Sequence, residues 1–471
     1  MRLLTNLWNY CKLSYHLHDL YTLYTHNQSL DSDRGYILID TIKRNVEESG
    51  SICIKFCQWL IPILDNIYIK GDKKPYWFRS LESLYENCPL HSQEYSKRVY
   101  ENEFNEGFDD DYTILDIIGS GSIGQVYKIQ NKHTDKIFAY KIIHPDVKYQ
   151  LKLFRTILRI MLSIQCIRHK LHRLVPVNYL QFIDNFEEQI NMIKESNNLL
   201  RMNYNYQDNP AIIIPQLIRC SESCMIMTYE EGVIMDTLDV SAYQKTKIIS
   251  LLYGFVSTNQ LFDDIMHNDI HKANWKVRKI NEDRYVLVIY DFGFCHRKRV
   301  KDRPIIQLMT ELCETADENT DNTEKCTQMI QFFIDDYTES TKESILHLIP
   351  SVFKADPNHI FELVINVCNE CNTIIDASGI QILITSIQTY KYLKEAGINN
   401  GNNLKNDGYR MYRERYLDLC NIYKTYECFH EFRDYMIHKL STLNMEVTNL
   451  FDVIKDNETI TDEVTKLLKF D

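Results

Sequence analysis

Residues 112–143 read YTILDIIGSGSIGQVYKIQNKHTDKIFAYKII, and the fold class turns on how they are parsed. Inside the stretch, Gly119-Ser-Gly-Ser-Ile-Gly124-Gln-Val126 is a G-x-G-x-x-G-x-V run. Strand-like segments flank it, Tyr112 to Ile118 and Gln125 to Gln130, and the polar turn Asn131 to Lys136 leads to a third, Ile137 to Ile143. Glycine is wanted in such a loop because backbone amides must approach phosphates closely, with torsions a side chain forbids. A dinucleotide fold would put the loop between a strand and a helix, with an acid about 20 residues on. Here a strand follows, which favours a hairpin closing over phosphates. Ala139-Tyr-Lys141 falls in the third strand, 17 residues after Gly124. Alternation places Ala139 and Lys141 on one face, the first suited to an adenine ring and the second to phosphates. A plain hairpin with a surface lysine would read the same on this segment alone. The candidate nucleotide contacts are Ile118, Gly119, Ser120, Gly121, Ser122, Ile123, Gly124, Gln125, Val126, Ala139 and Lys141.

Downstream, His267-Asn-Asp269-Ile-His-Lys-Ala-Asn274 has the spacing H-x-D-x-x-x-x-N, and Asp291-Phe-Gly293 follows 22 residues after Asp269. The second motif ends a strand-like run, Val286 to Tyr290. Phosphoryl transfer is mostly positioning and charge neutralisation, so these residue types are chemically required. The Asp269 carboxylate suits orienting or deprotonating an acceptor hydroxyl. The Asn274 amide oxygen and the Asp291 carboxylate are the hard oxygen ligands that Mg²⁺ prefers. His267 and His271 are spaced i, i+4, but without an identifiable third ligand they read as packing histidines. Any one of these short motifs is common by chance. All of them, in this order and spacing, are those of a protein-kinase-like phosphotransferase binding ATP and a divalent metal.

Five segments extend the match: Ile54-Lys-Phe-Cys-Gln-Trp59, Gly121-Ser-Ile-Gly-Gln-Val126, Tyr140-Lys-Ile-Ile-His-Pro145, Lys194-Glu-Ser-Asn-Asn198, and His267 through Asn274 with Asp291-Phe-Gly293. As an ordered set over about 45–300, roughly half the chain, they resemble the UbiB/ADCK atypical kinases, a family associated with isoprenoid quinone biosynthesis and lipid homeostasis. The resemblance implies that Lys141 pairs with Glu195 on the helix equivalent to kinase αC. The 54-residue gap between them matches the family's helical insert. It implies catalysis by Asp269 with Lys141 and Glu195, metal binding by Asn274 and Asp291, and a place for Glu230 to Gly232 just past the adenine hinge. It also implies an N-terminal K-x-G-Q helix over the site, where Lys55 and Gln58 take regulatory roles on one helix face.

Three departures accompany the resemblance. Cys57 replaces the K-x-G-Q glycine, and the family's E-x-D position reads Gln189-Ile-Asn191. A neutral amide cannot balance the Lys55 charge and is a poorer magnesium ligand than a carboxylate. Glu187 and Glu188 lie close in sequence, but one residue of shift turns a helix by about 100°. The phosphate loop has three glycines, as in ordinary kinases, where many family members are alanine-rich.

The 471-residue chain is long enough for two lobes with additions, and 44% hydrophobic with 25% charged residues is ordinary for a globular protein. A net charge of -12 argues against a broad grip on nucleic acid or anionic lipid. Fourteen cysteines without paired metal-binding blocks suit reduced thiols in an intracellular compartment, and Cys368-Asn-Glu-Cys371 lacks a second ligand pair for zinc. No run of 18 apolar residues is present, so no membrane span is expected, while peripheral membrane association is compatible with the sequence. Helices are expected over 1–50 with a break near Asp31 to Gly35, over 52–68 and over 77–105, followed by a linker at Asp109-Asp110-Asp111. Two long helices are expected at 148–172 and 177–205, a strand at Met225 to Tyr229, and a mainly helical chain from Val240 onward.

The expected architecture is α+β: an N-terminal helical extension over 1–106, a kinase-like N-lobe with helical insert over 107–232, and a helical C-lobe over 233–471. The leading functional reading is an ATP-dependent kinase or ATPase acting on water or a small or lipid acceptor. The alternatives are a nucleotide-binding pseudokinase scaffold without turnover, favoured by Gln189 and Asn191, and a small-molecule kinase of the choline or aminoglycoside type, which would lack the Lys55/Gln58 helix.

Overall fold

The computed structural model describes residues 2–25, 32–68, 74–85, 90–261, 263–281, 284–297, 323–334, 338–348, 357–395 and Tyr435. The expected helical tail beyond 395, Tyr435 excepted, lies outside them, as does 298–322.

Three helices open the chain: α1 (Arg2–Thr25), α2 (Asp33–Ser49) and α3 (Ser51–Tyr68). Ser32 caps α2, its hydroxyl accepting the Gly35 N–H at 3.2 Å, which explains the expected break. Gly50 joins α2 to α3 with φ of 97°, and a Cβ there would come within 2.6 Å of the Gln150 side chain. That turn needs glycine. After α4 (Tyr76–Glu82), α5 (Gln93–Phe104) and the single turn α6 (Phe108–Asp111) lead into the sheet. The acidic run at 109–111, expected as a linker, is this turn instead. Phe108 pins it to the core, fully buried, and Lys97 pairs with Asp109 at 2.8 Å.

The hairpin strands form as expected: β1 (Tyr112–Ser120), β2 (Gly124–Asn131) and β3 (Ile137–Ile143). Four helices follow in place of the two expected, α7 (Val147–Ser163), α8 (Gln165–Leu174), α9 (Tyr179–Gln189) and α10 (Met192–Tyr206). The first break is Ile164, extended at ψ 110°. The second is Asn191, whose side chain caps α10 by accepting the N–H groups of Ile193 and Lys194 at 3.0 and 3.4 Å. Next come β4 (Ile212–Ile213), β5 (Leu217–Cys220) and β6 (Cys224–Thr228). The N-lobe sheet is antiparallel in the order β1-β2-β3-β6-β5.

Alternation gives this sheet two different faces. Tyr127, Ile129, Tyr140 and Ile142 pack on Tyr100 and Phe108, so α5 and α6 cover the outer side. The opposite parity faces the cleft, with Val126 paired to Lys141 and Ala139 paired to Met227.

Beyond the cleft lie α11 (Ala242–Leu261), β7 (Ile265–His267), β8 (Trp275–Lys279), β9 (Tyr285–Ile289) and β10 (Cys295–Arg297). Then follow α12 (Thr323–Phe333), α13 (Glu339–Leu348), α14 (Pro357–Cys371) and α15 (Ala377–Glu395). The strand expected at Val286 to Tyr290 is β9. The pieces β7, β8 and β10 add to the one strand expected in this mainly helical stretch, because three to five residues carry too little alternation to register. They pair as β4-β9-β8 and β10-β7. The mixed α+β, helix-rich architecture matches the sequence reading. Cys368 and Cys371 are free thiols on α14, and no metal cluster of His, Cys, Asp and Glu is found among the described residues.

Phe108→Ala should cost about 3–5 kcal/mol, the range for emptying a fully buried aromatic site. Asn191→Ala should cost about 1 kcal/mol through loss of the cap. Denaturant midpoints of the two variants against wild type measure both.

Candidate active site

Strand β3 delivers Lys141, the first turn of α10 delivers Glu195, and the turn after β9 delivers Asp291. Lys141 Nζ lies 2.6 Å from Glu195 Oε1 and 3.2 Å from Asp291 Oδ1, so one ammonium is shared by two carboxylates. Glu195 is 2% exposed, whereas the Asp291 side chain is 47% exposed to the cleft. Burial disfavours the Lys141 charge, but Asp291 and Glu195 outweigh it and raise its pKa. Burial raises the Glu195 pKa; Lys141 opposes the rise and Asp291 adds to it. At Asp291 burial is outweighed by the Lys141 and Lys55 charges, which hold the carboxyl well below the usual range. Asp291 has φ of 54°, a left-handed conformation uncommon outside glycine, and its Oδ1 accepts the Gly293 N–H at 3.2 Å.

The helix carrying Glu195 is tied to residues of the C-lobe. Asn198 Nδ2 donates to the Phe292 carbonyl at 3.0 Å, Arg201 pairs with Asp264 at 2.9 Å, and the Tyr206 ring packs at a tilt against Phe255.

Pairing of β7 with β10 sets Cys295 opposite His267 and ties the 267–274 loop to the segment that follows Asp291-Phe-Gly293. His267 Nδ1 accepts the Asp269 N–H at 3.2 Å, which leaves Nε2–H to donate to the Tyr290 carbonyl at 3.0 Å. Burial lowers its pKa, keeping it neutral. This is the packing role expected from sequence. Asn259, which sequence reasoning missed, accepts the His267 N–H at 2.6 Å and donates to the Ile265 carbonyl at 2.8 Å. Also missed were Gln381 and Thr385 on α15, which donate to the Asn268 carbonyl at 2.5 and 3.1 Å. Asn198 was quoted within a motif without a role.

Asn274 Nδ2 donates to the Asp269 carbonyl at 2.8 Å, which fixes the amide and leaves its Oδ1 as an acceptor. The close contacts of Asp291 fall on Oδ1. An amide oxygen and a carboxylate are a donor set that fits a hard divalent cation such as Mg²⁺.

Helix α3 spans the cleft. Lys55 Nζ lies 3.6 Å from Asp269 Oδ2, and His271 Nε2 approaches the same oxygen at 3.7 Å. Three residues on, Gln58 Oε1 accepts the Ser122 hydroxyl at 2.9 Å while Nε2 donates to the Leu84 carbonyl at 2.9 Å. One helix face therefore touches both the phosphate loop and the expected catalytic carboxylate. Trp59 stacks on Phe182 with ring centroids 3.6 Å apart, fastening α3 to the insert. Neither residue at the E-x-D position is Lys55's ion-pair partner: Asn191 caps α10, and Gln189 is buried with its Nε2 unpartnered. Glu187 and Glu188 pair with Arg155 and Lys194, each at 2.9 Å.

Among the phosphate-loop residues, Gly119, Gly121 and Gly124 all avoid the left-handed region, so the expected forbidden torsions are not the reason for glycine. Close approach is the reason at Gly124, where a Cβ would meet the Ile142 carbonyl oxygen at 2.5 Å. Gly119 has nothing within 4 Å and Gly121 only the Gly124 oxygen at 3.9 Å. Gln125, fully buried, turns its side chain to accept the His91 N–H at 3.0 Å. At the hinge, Tyr290 donates to the Glu230 carbonyl and Arg278 to the Glu231 carbonyl, each at 2.7 Å.

A family described as the ABC1 atypical kinase-like domain matches residues 83–327, just over half of the chain. Lys55 and Gln58 lie before the matched region. A curated protein of Dictyostelium discoideum, "Probable serine/threonine-protein kinase abkC", is 26% identical over 257 residues, covering 53% of this chain and 36% of its own length. This chain thus spans about a third of that relative. A solved structure titled "The complex structure of Rv3197-erythromycin from Mycobacterium tuberculosis" is 16% identical, with a TM-score of 0.39, covering 65% of this chain and 83% of its own.

Gly124→Ala should destabilise the loop and the β2–β3 pairing, whereas Gly121→Ala should leave the unliganded protein's stability within about 0.5 kcal/mol. Glu195→Gln, which leaves Lys141 with Asp291 as its one carboxylate partner, should destabilise the fold by about 1–3 kcal/mol. Thermal and denaturant melts of the three variants decide both points.

Proposed function

Because the chain belongs to the ABC1 atypical kinase-like domain family, we propose that it is an ATP-dependent phosphotransferase or ATPase of the UbiB type, transferring a phosphoryl group to water or to a small or lipid acceptor. The observation that carries the reading is Lys141 held between Glu195 and Asp291 at 2.6 and 3.2 Å. A lysine so fixed is positioned for nucleotide phosphates at the foot of the glycine loop. Asp269 orients and accepts the proton of the attacking hydroxyl or water. Asn274 and Asp291 would hold magnesium, which when bound neutralises phosphate charge. Ala139 lines the adenine side, and the loop from Ile118 to Val126 covers the phosphates.

Helix α3 occupies the acceptor side through Lys55 and Gln58, which favours a small acceptor or hydrolysis over a large protein substrate. No helix among the described residues is long and apolar enough to cross a membrane. The Lys55 contact to Asp269 also favours a second reading, a nucleotide-binding scaffold whose carboxylate is kept neutralised and which has lost turnover.

Magnesium with ATP or ADP at 100 times Kd should stabilise the fold by about 2.7 kcal/mol. A melt indifferent to millimolar Mg-nucleotide would count against both readings. Asp269→Asn should abolish ATP turnover and leave nucleotide binding largely intact. Lys55→Met should raise turnover under the enzyme reading, since it frees Asp269, and should leave it absent under the scaffold reading. A coupled ATPase assay on the full chain separates these outcomes.

A further inference from the structure

Behind the phosphate loop runs a chain of hydrogen bonds that the proposed phosphoryl transfer does not itself require. His144 follows β3 and is 6% exposed. Its Nε2 lies 2.9 Å from the Gly121 carbonyl oxygen, and its backbone N–H donates to the Ile123 carbonyl at 2.8 Å. Its Nδ1 lies 2.7 Å from Nδ1 of His91, whose Nε2 lies 2.8 Å from Ser96 Oγ. Ser96 Oγ in turn contacts the Tyr127 hydroxyl at 2.9 Å.

The protons on this chain can be assigned by elimination. A carbonyl oxygen only accepts, so the Gly121 contact fixes the proton on His144 Nε2. In the neutral ring Nδ1 is then an acceptor, and His91 Nδ1 must donate to it. His91 Nε2 is left to accept from the Ser96 hydroxyl, whose oxygen lies 2.9 Å from that of Tyr127. Every member is satisfied in one direction only. Burial keeps both rings neutral, lowering His91, with help from His144, to about 4 and moving His144 the same way. The groups facing the pair are Ser120 Oγ, 3.4 Å from His144 Nε2, the Gln125 side chain on the His91 N–H, and the Tyr95 ring.

We propose that His144 is a positioning residue for the phosphate loop, its Nε2–H tautomer held jointly by the Gly121 carbonyl and by His91. Two grips on the loop, at the Gly121 and Ile123 carbonyls, hold its backbone in one arrangement. Across a trans peptide the C=O and the next N–H point oppositely. Fixing the Gly121 carbonyl on His144 therefore turns the Ser122 N–H away from the histidines, toward the nucleotide side of the loop. Gly119 and Gly121 have open space beside them, and the other ties on this turn are the Gly121 N–H on the Gly124 carbonyl and the Ser122 hydroxyl on Gln58, each at 2.9 Å. His91 lies at the start of the helical segment over the sheet, so the N-terminal extension sets the loop through the sheet's far side. The inference rests on the nucleotide reading above.

The test combines imidazole nitrogen NMR with titration of the full chain by Mg-ADP. Wild type should show His144 as the Nε2–H tautomer. His144→Ala should weaken ADP about threefold to tenfold, the range for one hydrogen bond to a backbone carbonyl. His144→Gln, whose side-chain amide can still donate to Gly121 and accept from His91, should recover most of that loss. His91→Phe should leave His144 in mixed tautomers and weaken ADP. An Nδ1–H tautomer in wild type, or His144→Ala binding ADP as tightly as wild type, overturns the proposal. Should His144→Ala fail to fold, His91→Phe decides: an unchanged tautomer and unchanged affinity overturn the proposal equally. If wild type binds no ADP, the nucleotide reading fails, and the tautomer spectra still judge the relay.

Discussion

One buried ammonium between two carboxylates is the constraint on which the rest of this molecule depends. Lys141, Glu195 and Asp291 come from a strand, a helix and a loop separated by long stretches of sequence, and burying the Lys141–Glu195 pair beside the more exposed Asp291 requires all three in place. A buried pair with one partner missing is strongly unfavourable, so the arrangement penalises any fold in which α10 or the metal loop drifts. The surplus negative charge remains at the open end of the group, on Asp291.

Around this group the structure has two further layers, both supplied by the N-terminal extension. Helices α5 and α6 cover the outer face of the five-stranded N-lobe sheet with Tyr100 and Phe108, leaving its other face to the cleft. Helix α3 lies across the cleft and contacts both the phosphate loop and Asp269. Its own fastening is aromatic, through Trp59 and Phe182 and through Phe56 against Phe154. The long insert between β3 and α10 thereby gains a physical purpose as the wall on which α3 is mounted. Cys57, in place of the family's glycine, lies among partly buried apolar groups there.

Much of the centre was legible in sequence because its chemistry demands particular residue types at fixed spacing. Lys141, Glu195 and Asp291 come together as read, the hairpins fall where alternation put them, and the break before α2 follows from Ser32. What was not legible depended on distant partners. Asn259, Gln381 and Thr385 hold the catalytic loop through backbone carbonyls, and nothing in their local sequence announces that use. The partner of Lys55 was sought among neighbours of Glu195, whereas Asp269 faces it across the cleft. The acidic run at 109–111 has the composition of a linker, and only the burial of Phe108 makes it a structural turn. The glycines were recognised correctly as a loop, but for the wrong reason at Gly124, where crowding by a carbonyl rather than torsion excludes a side chain.

The ties on α10 have a consequence for how such a molecule could be switched. Kinase-like folds commonly change state by displacing the helix that carries the glutamate. Here that helix is held by Phe292, Asp264 and Phe255 of the C-lobe, and by Lys141 of the N-lobe through the ion pair. Swinging it outward would break contacts with both lobes in a single step, a concerted barrier rather than a soft mode. Helix α3 is no looser: it touches the cleft through one ion pair and one hydroxyl contact, while Ile52, Ile54 and Ile63 bury it in the core, so the group around Lys141 is braced from the insert side as well.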